Sequence, residues 1–174
     1  MRRVTAQRFV EPMAQALAIL PPRIRAMLDD TPILTGVNPV FAGLHRDGDT
    51  DDGRSYSDTA HVVYPFHQEH RPAASRETTV VLPSLYGKGG DWRDVRTVVH
   101  ELGHVLDERL GFTETVPAVN DYALTNRREA FAEAFTTWVW GPAPRWWGRA
   151  KDPFLILLED GRAPALFEKL TKGA

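Results

Sequence analysis

The chain has 174 residues, 43% hydrophobic and 25% charged, the size and balance of one ordinary globular domain over residues 1–174. With 21 Lys+Arg against 23 Asp+Glu the net charge is −2, so the basic excess expected of a nucleic-acid binder is missing. No cysteine is present, which excludes disulfides, thiolate zinc knuckles, iron–sulfur clusters and a cysteine nucleophile.

In chain order, residues 5–20 read as an amphipathic helix, with Pro12 tolerable near its first turn. Gln7, Arg8, Glu11 and Gln15 interrupt it too often for a signal peptide, and no run approaches the ~18 apolar residues of a membrane span. The expected location is therefore the cytoplasm, and the expected state a monomer. Pro21-Pro22 breaks this helix, and a second short one follows over 22–30. Residues 33–37 are a candidate strand. Residues 43–58 are Gly- and Asp-rich and read as a loop. The β-branched runs 60–64 and 78–82 read as strands, with an irregular excursion between them. A turn at 87–91 leads into a strong helix over about 92–110, with Asp91 as N-cap and Gly111 as the residue that ends it. After a loop from Gly111 to Thr125, a second strong helix runs over 127–140 and stops at Gly141-Pro142. Two short helices, near 152–159 and 163–172, close the chain. Helices, a few strands, then helices again imply an α+β fold.

Chemistry concentrates in Val99-His100-Glu101-Leu102-Gly103-His104, an HExxH motif. Residues at i and i+4 share a helix face, with Cβ atoms ~5–6 Å apart, so two imidazoles can meet one zinc ion while the intervening glutamate serves as general base. A random chain of this composition would hold such a motif about once in a hundred times, so its setting matters. On a helical wheel Val95, Val98, Val99, Leu102, Val105, Leu106 and Leu110 form one apolar arc. His100, His104 and Asp107 lie opposite and Glu101 flanks the arc, as suits a helix that floors a cleft.

Zinc needs a third protein ligand and an open position. The extended HExxHxxGxxH pattern is absent, because Asp107 and Leu110 occupy its Gly and third His positions. The helix at 127–140 offers Glu129 and Glu133, separated by small alanines that permit close helix approach. Asn126 leaves a second reading open for Glu129, a capping box. Asp107 either orients a ligand histidine through its free ring nitrogen or is simply exposed.

His-Glu-Leu-Gly-His at 100–104, followed by Tyr122-Ala-Leu-Thr-Asn126 and Glu129-Ala-Phe-Ala-Glu133-Ala-Phe135, resembles the catalytic domain of the anthrax lethal factor-like zinc peptidases, which include the secreted Pro-Pro endopeptidases. Over residues 95–136 the resemblance implies one Zn²⁺ per chain, held by His100, His104 and Glu129. It implies Glu101 as the base, Glu133 as a carboxylate supporting a ligand from behind, and Tyr122 as the hydroxyl on the oxyanion side. It further implies a zincin-like arrangement, a small mixed sheet on the HExxH helix, and an extended substrate paired with a strand such as 78–82. The loop between His104 and Glu129 is shorter than in the toxin, so substrate preference does not carry over.

The remaining motifs have plainer readings. His67 and His70 form an HxxH in a solvated loop. Asp47, Asp49, Asp51 and Asp58 imitate part of a calcium loop without its glycine, its final glutamate or its flanking helices. Gly87-Lys-Gly-Gly90 lacks the residues of a phosphate loop. Trp138, Trp140, Trp146 and Trp147 read as core rather than as a peptide groove, and Arg127-Arg128 as a solvated helix start. The expected function is a zinc metallopeptidase cutting within peptide or protein chains, with no nucleic-acid or membrane partner. The alternatives are a zinc hydrolase of a non-peptide amide and a non-catalytic zinc-containing module.

Overall fold

Two prolines set the first corner of the chain. In a computed structural model describing residues 10–35, 42–45, 59–82, 92–140 and 153–172, helix α1 (Val10–Ile19) ends just before them and α2 (Pro22–Leu28) starts on Pro22. Proline suits that first helical position because its missing N–H would have no partner there. Three strands follow, β1 (Ile33–Thr35), β2 (His61–Val63) and β3 (Thr79–Leu82), and then α3 (Trp92–Arg109), α4 (Arg127–Trp140), α5 (Pro153–Asp160) and α6 (Arg162–Lys172). The excursion between β2 and β3 holds two short 3₁₀ turns, Pro65–Gln68 and Ala73–Ser75, and a third, Tyr122–Leu124, precedes α4. The fold is α+β. Among the described residues no helix is long and apolar enough to cross a membrane. Asp91, Gly141-Pro142, the 87–90 turn, the aspartates at 47–58 and Trp146-Trp147 lie outside the described residues.

The sheet corrects one expectation. Its order is β1-β3-β2, with β1 parallel and β2 antiparallel to β3. Strand 78–82 is thus central, paired on both sides and buried along its whole length, so it has no free edge for a substrate. Alternate side chains face opposite ways along each strand. Val62, Val80 and Leu82 join the main core, while Val63 and Val81 meet Leu44 on the other face. A continuous TVVL run, with no polar alternation, is what a strand covered on both faces requires.

Helix α3 is the axis of the molecule. Val95, Val98, Val99, Leu102, Val105 and Leu106 are all buried, as their arc on the wheel requires. Its end is a Schellman turn. The Phe112 N–H donates to the Asp107 carbonyl at 2.9 Å and the Gly111 N–H to the Glu108 carbonyl at 2.8 Å, with Gly111 at φ 72°, a conformation that glycine takes without steric cost. The opposite face departs from expectation. His100, Glu101, His104 and Asp107 are buried too, because α4 lies across them. In α4 every residue from Ala130 to Thr137 is buried, so that helix has no polar side to read.

Gly103 explains how close the two helices come. A Cβ there would stand 3.0 Å from the Ala132 Cα and 3.1 Å from a Phe135 ring carbon. On an open helix alanine would beat glycine by about 1 kcal/mol. Here the obstacle is buried backbone, and overpacking costs about 1–3 kcal/mol. Gly103→Ala is therefore expected to lower the melting temperature and Gly103→Val to lower it further. A rise for Gly103→Ala in thermal melts would contradict this packing.

Candidate metal centre

Close approach of α3 and α4 brings three donors together. The Glu129 Oε2 atom lies 3.1 Å from His100 Nε2 and 3.4 Å from His104 Nε2. The ligand atoms of His100, His104 and Glu129 all fall within 4.8 Å of one another, the only group of three or more His or acidic side chains so arranged among the described residues. Two donors each about 2.0–2.1 Å from a tetrahedral zinc lie about 3.3–3.4 Å apart, a spacing that the two Glu129–histidine separations approach. Two nitrogens and one carboxylate oxygen also suit Zn²⁺ better than the all-oxygen shells of Mg²⁺ or Ca²⁺.

Only half of the capping box forms at Glu129. Its backbone N–H donates to the Asn126 side-chain oxygen at 3.0 Å, which caps α4. Its carboxylate turns instead to the histidines.

Glu133 sits one turn further along α4 and holds His100 from behind. Its Oε1 is 2.9 Å from His100 Nδ1, an ion-pair distance without hydrogen-bond alignment. Its other contacts pin it. Arg96 reaches both oxygens, at 3.3 and 2.6 Å, and the Asn120 side-chain amide donates to Oε2. The Asn120 oxygen in turn accepts the Ala123 N–H at 2.8 Å, tying the turn that carries Tyr122 to the same carboxylate. Arg96 and Asn120 were not among the residues expected at the site. Arg96 did carry a signal, standing four residues before His100 on the same helix face. Asn120 lies in a loop where no periodicity applies.

Asp107 does not orient a histidine. It is fully buried, and its two oxygens accept from Arg127 at 3.0 and 2.5 Å. The second ring nitrogen of His104 has no hydrogen-bond partner among the described residues. Arg127, read as a solvated helix start, is instead a half-buried clamp between α4 and the end of α3, and it also donates to the Glu114 carbonyl at 2.7 Å.

Glu101 is buried and near enough to His100 and Tyr64 to influence the ionisation of both. The Tyr122 ring lies 5.9 Å from that of His100, centroid to centroid, and is 40% exposed, so it stands at the solvent side of the cluster. His67 and His70 go elsewhere. His67 Nδ1 takes the Tyr64 N–H at 3.4 Å and His70 Nε2 bonds the Gly43 carbonyl at 2.9 Å. Trp138 packs on Phe135 and Phe167 as part of the core.

The cluster's charges are strongly coupled. Burial opposes a charged His100, but Glu129 and Glu133 outweigh it and raise the imidazole to about 10. Burial likewise opposes a charged Glu133, yet His100 and Arg96 hold it down to about 2. In metal-free protein, a raised histidine stabilises the fold fully below its ordinary 6.5 and ceases to as pH climbs through about 10. A lowered glutamate contributes fully above its ordinary 4.5 and ceases to as pH falls through about 2. Chelator-treated protein should melt highest between about pH 4.5 and 6.5 and lower on both sides. Glu133→Gln should reduce the alkaline slope. A melting temperature that climbs from pH 6.5 to 10 would contradict the ion cluster.

Comparison with protein-family models, curated proteins and solved structures finds no match to this chain.

Proposed function

We propose that the chain is a zinc-dependent metallopeptidase with a zincin-like site, cutting within peptide or protein chains, as its resemblance to the lethal factor-like peptidases implies. One observation carries the reading. Two rigid helices bring His100, His104 and Glu129 to a common point, with the glutamate of the same HExxH turn buried beside them. A zinc ion bound there would polarise a carbonyl and bring the pKa of a water toward ~7.

The chain's own residues supply the rest. Glu101 accepts the proton of the attacking water and delivers it to the amine as the C–N bond breaks. The Tyr122 phenol donates to the oxyanion of the tetrahedral intermediate. Arg96 and Asn120 fix Glu133, whose carboxylate stands 2.9 Å from His100 Nδ1, the side from which a ligand imidazole is supported. Because β3 is central, an extended substrate would pair with an edge strand, and β2 is the edge that leads into Tyr64.

Cleavage of a peptide library by zinc-loaded protein, lost on chelation and regained on adding zinc, is the expected result. Hydrolysis of small non-peptide amides with no peptide cleaved would overturn the assignment to peptides. The ligand set has its own test. Glu129→Ala should lose zinc, since it removes the only charged ligand. Glu133→Ala should retain the metal more weakly than wild type, by the ~10–100-fold typical of losing a ligand's support. Zinc content after dialysis measures both, and the reverse order would exchange the two glutamates' roles.

A further inference from the structure

Arg128 is oddly placed for a cation. It stands in the first turn of α4, where the helix dipole disfavours positive charge. Its neighbour Arg127 is compensated by the buried Asp107. Arg128 has no carboxylate partner among the described residues. Its guanidinium carbon lies 5.2, 5.2 and 4.9 Å from the ring centroids of Tyr64, Phe66 and Phe112, and no hydrogen bond or ion pair engages it among the described residues. The rings are arranged as a platform. Tyr64 and Phe66 stack at 5.1 Å, and Phe112 stands edge-on to Tyr64 at 5.4 Å. Phe112 presents its ring from φ 58°, a conformation that bulky residues seldom hold. Phe66 is 46% exposed, so the platform opens to solvent.

Stacking fixes the plane of the guanidinium but uses none of its N–H donors, which no described residue engages and which suit a planar anion. Glu129 is the next residue, and adjacent Cα atoms are about 3.8 Å apart. Side chains one residue apart on a helix diverge, and the guanidinium rests on Phe112, just past the end of α3, so with about 3.4 Å per residue of extended peptide an anion on Arg128 would belong to a group a few residues from the reacting bond. Resting on the metallopeptidase reading, we infer that Arg128, held on Tyr64, Phe66 and Phe112, is a specificity-determining residue that binds a substrate carboxylate close to the scissile bond.

The carboxylate can come from an acidic side chain or from a peptide C-terminus, and matched ligands separate the two. Peptide hydroxamates, extended on either side of the zinc-binding group, are made in three forms: an acidic side chain with an amidated end, neutral side chains with a free C-terminus, and neutral with an amidated end. The carboxylate is placed one to four residues from the hydroxamate. Titration calorimetry on zinc-loaded protein should show at least one carboxylate ligand binding about tenfold more tightly than the neutral form. The position and source of that carboxylate identify the substrate class. In Arg128→Gln the gap between acidic and neutral ligands should close. Arg128→Lys, which keeps the charge on the rings but not the planar fork, should retain part of it. A role in packing alone would move acidic and neutral ligands together. Equal binding of all three forms to wild type would overturn the inference and leave the metal site standing. If no hydroxamate binds at all, the metallopeptidase reading fails and this inference falls with it.

Discussion

Glu101→Gln is expected to keep its zinc and its melting temperature while turnover of any true substrate falls by roughly 10²–10⁴-fold. The reasoning is geometric. His100 and His104 point to Glu129, so the three candidate ligands meet without Glu101. Glutamine is nearly isosteric and keeps hydrogen-bonding capacity in a buried position, but it cannot accept the proton. Loss should therefore appear in kcat, with zinc content unchanged. Metal analysis and steady-state kinetics on the same preparations decide it, and near-normal cleavage by Glu101→Gln would sink the hydrolytic mechanism. Loss of zinc in this variant would place Glu101 among the ligands instead.

The convergence of His100, His104 and Glu129 was legible because helices convert spacing into direction. The four-residue spacing of His100 and His104, and the apolar arc of α3, were enough to place two imidazoles on a common face. What spacing on one helix does not carry is what covers that face. The wheel left His100, His104 and Asp107 over a cleft, whereas α4 buries them. The sign of that cover was present in small residues, Gly103 on one helix and Ala130, Ala132 and Ala134 on the other. Small residues mark close approach only once the two helices are known to be partners. Arg127 and Asp107 show the same limit. Each is an ordinary charged residue in sequence, and their pairing across twenty residues depends on the loop that returns the chain antiparallel.

The sheet shows a different limit. Strand 78–82 was found from its composition, but its place in the sheet was not, since order depends on how three short strands pair. Burial of all four β3 residues makes sense of the uninterrupted apolar run in hindsight. A half-exposed edge strand would have alternated. The candidate edge for a substrate thus moves to β2, and β2 runs directly into Tyr64, whose ring carries Arg128.

Tyr122→Phe is expected to lower kcat by ~10²–10³ with little change in KM. The ring is held in place by more than its own contacts. Asn120 donates to Glu133 and accepts from the Ala123 backbone, so the 3₁₀ turn that carries Tyr122 is fastened to the carboxylate that supports His100. That linkage puts the ring beside the His100 imidazole while leaving it substantially exposed, where a substrate can reach it. In the proposed mechanism a phenol in that position would donate to an oxyanion present in the transition state and absent from the bound substrate, so the loss should fall on kcat. Removing one hydroxyl from a 40% exposed side chain should leave zinc content and melting temperature nearly unchanged. Asn120→Ala supplies the contrast: it should weaken metal retention as well as turnover, because it unfastens both the turn and Glu133. Steady-state kinetics at matched zinc content distinguish the two variants, and an unchanged kcat for Tyr122→Phe would remove the phenol from the mechanism.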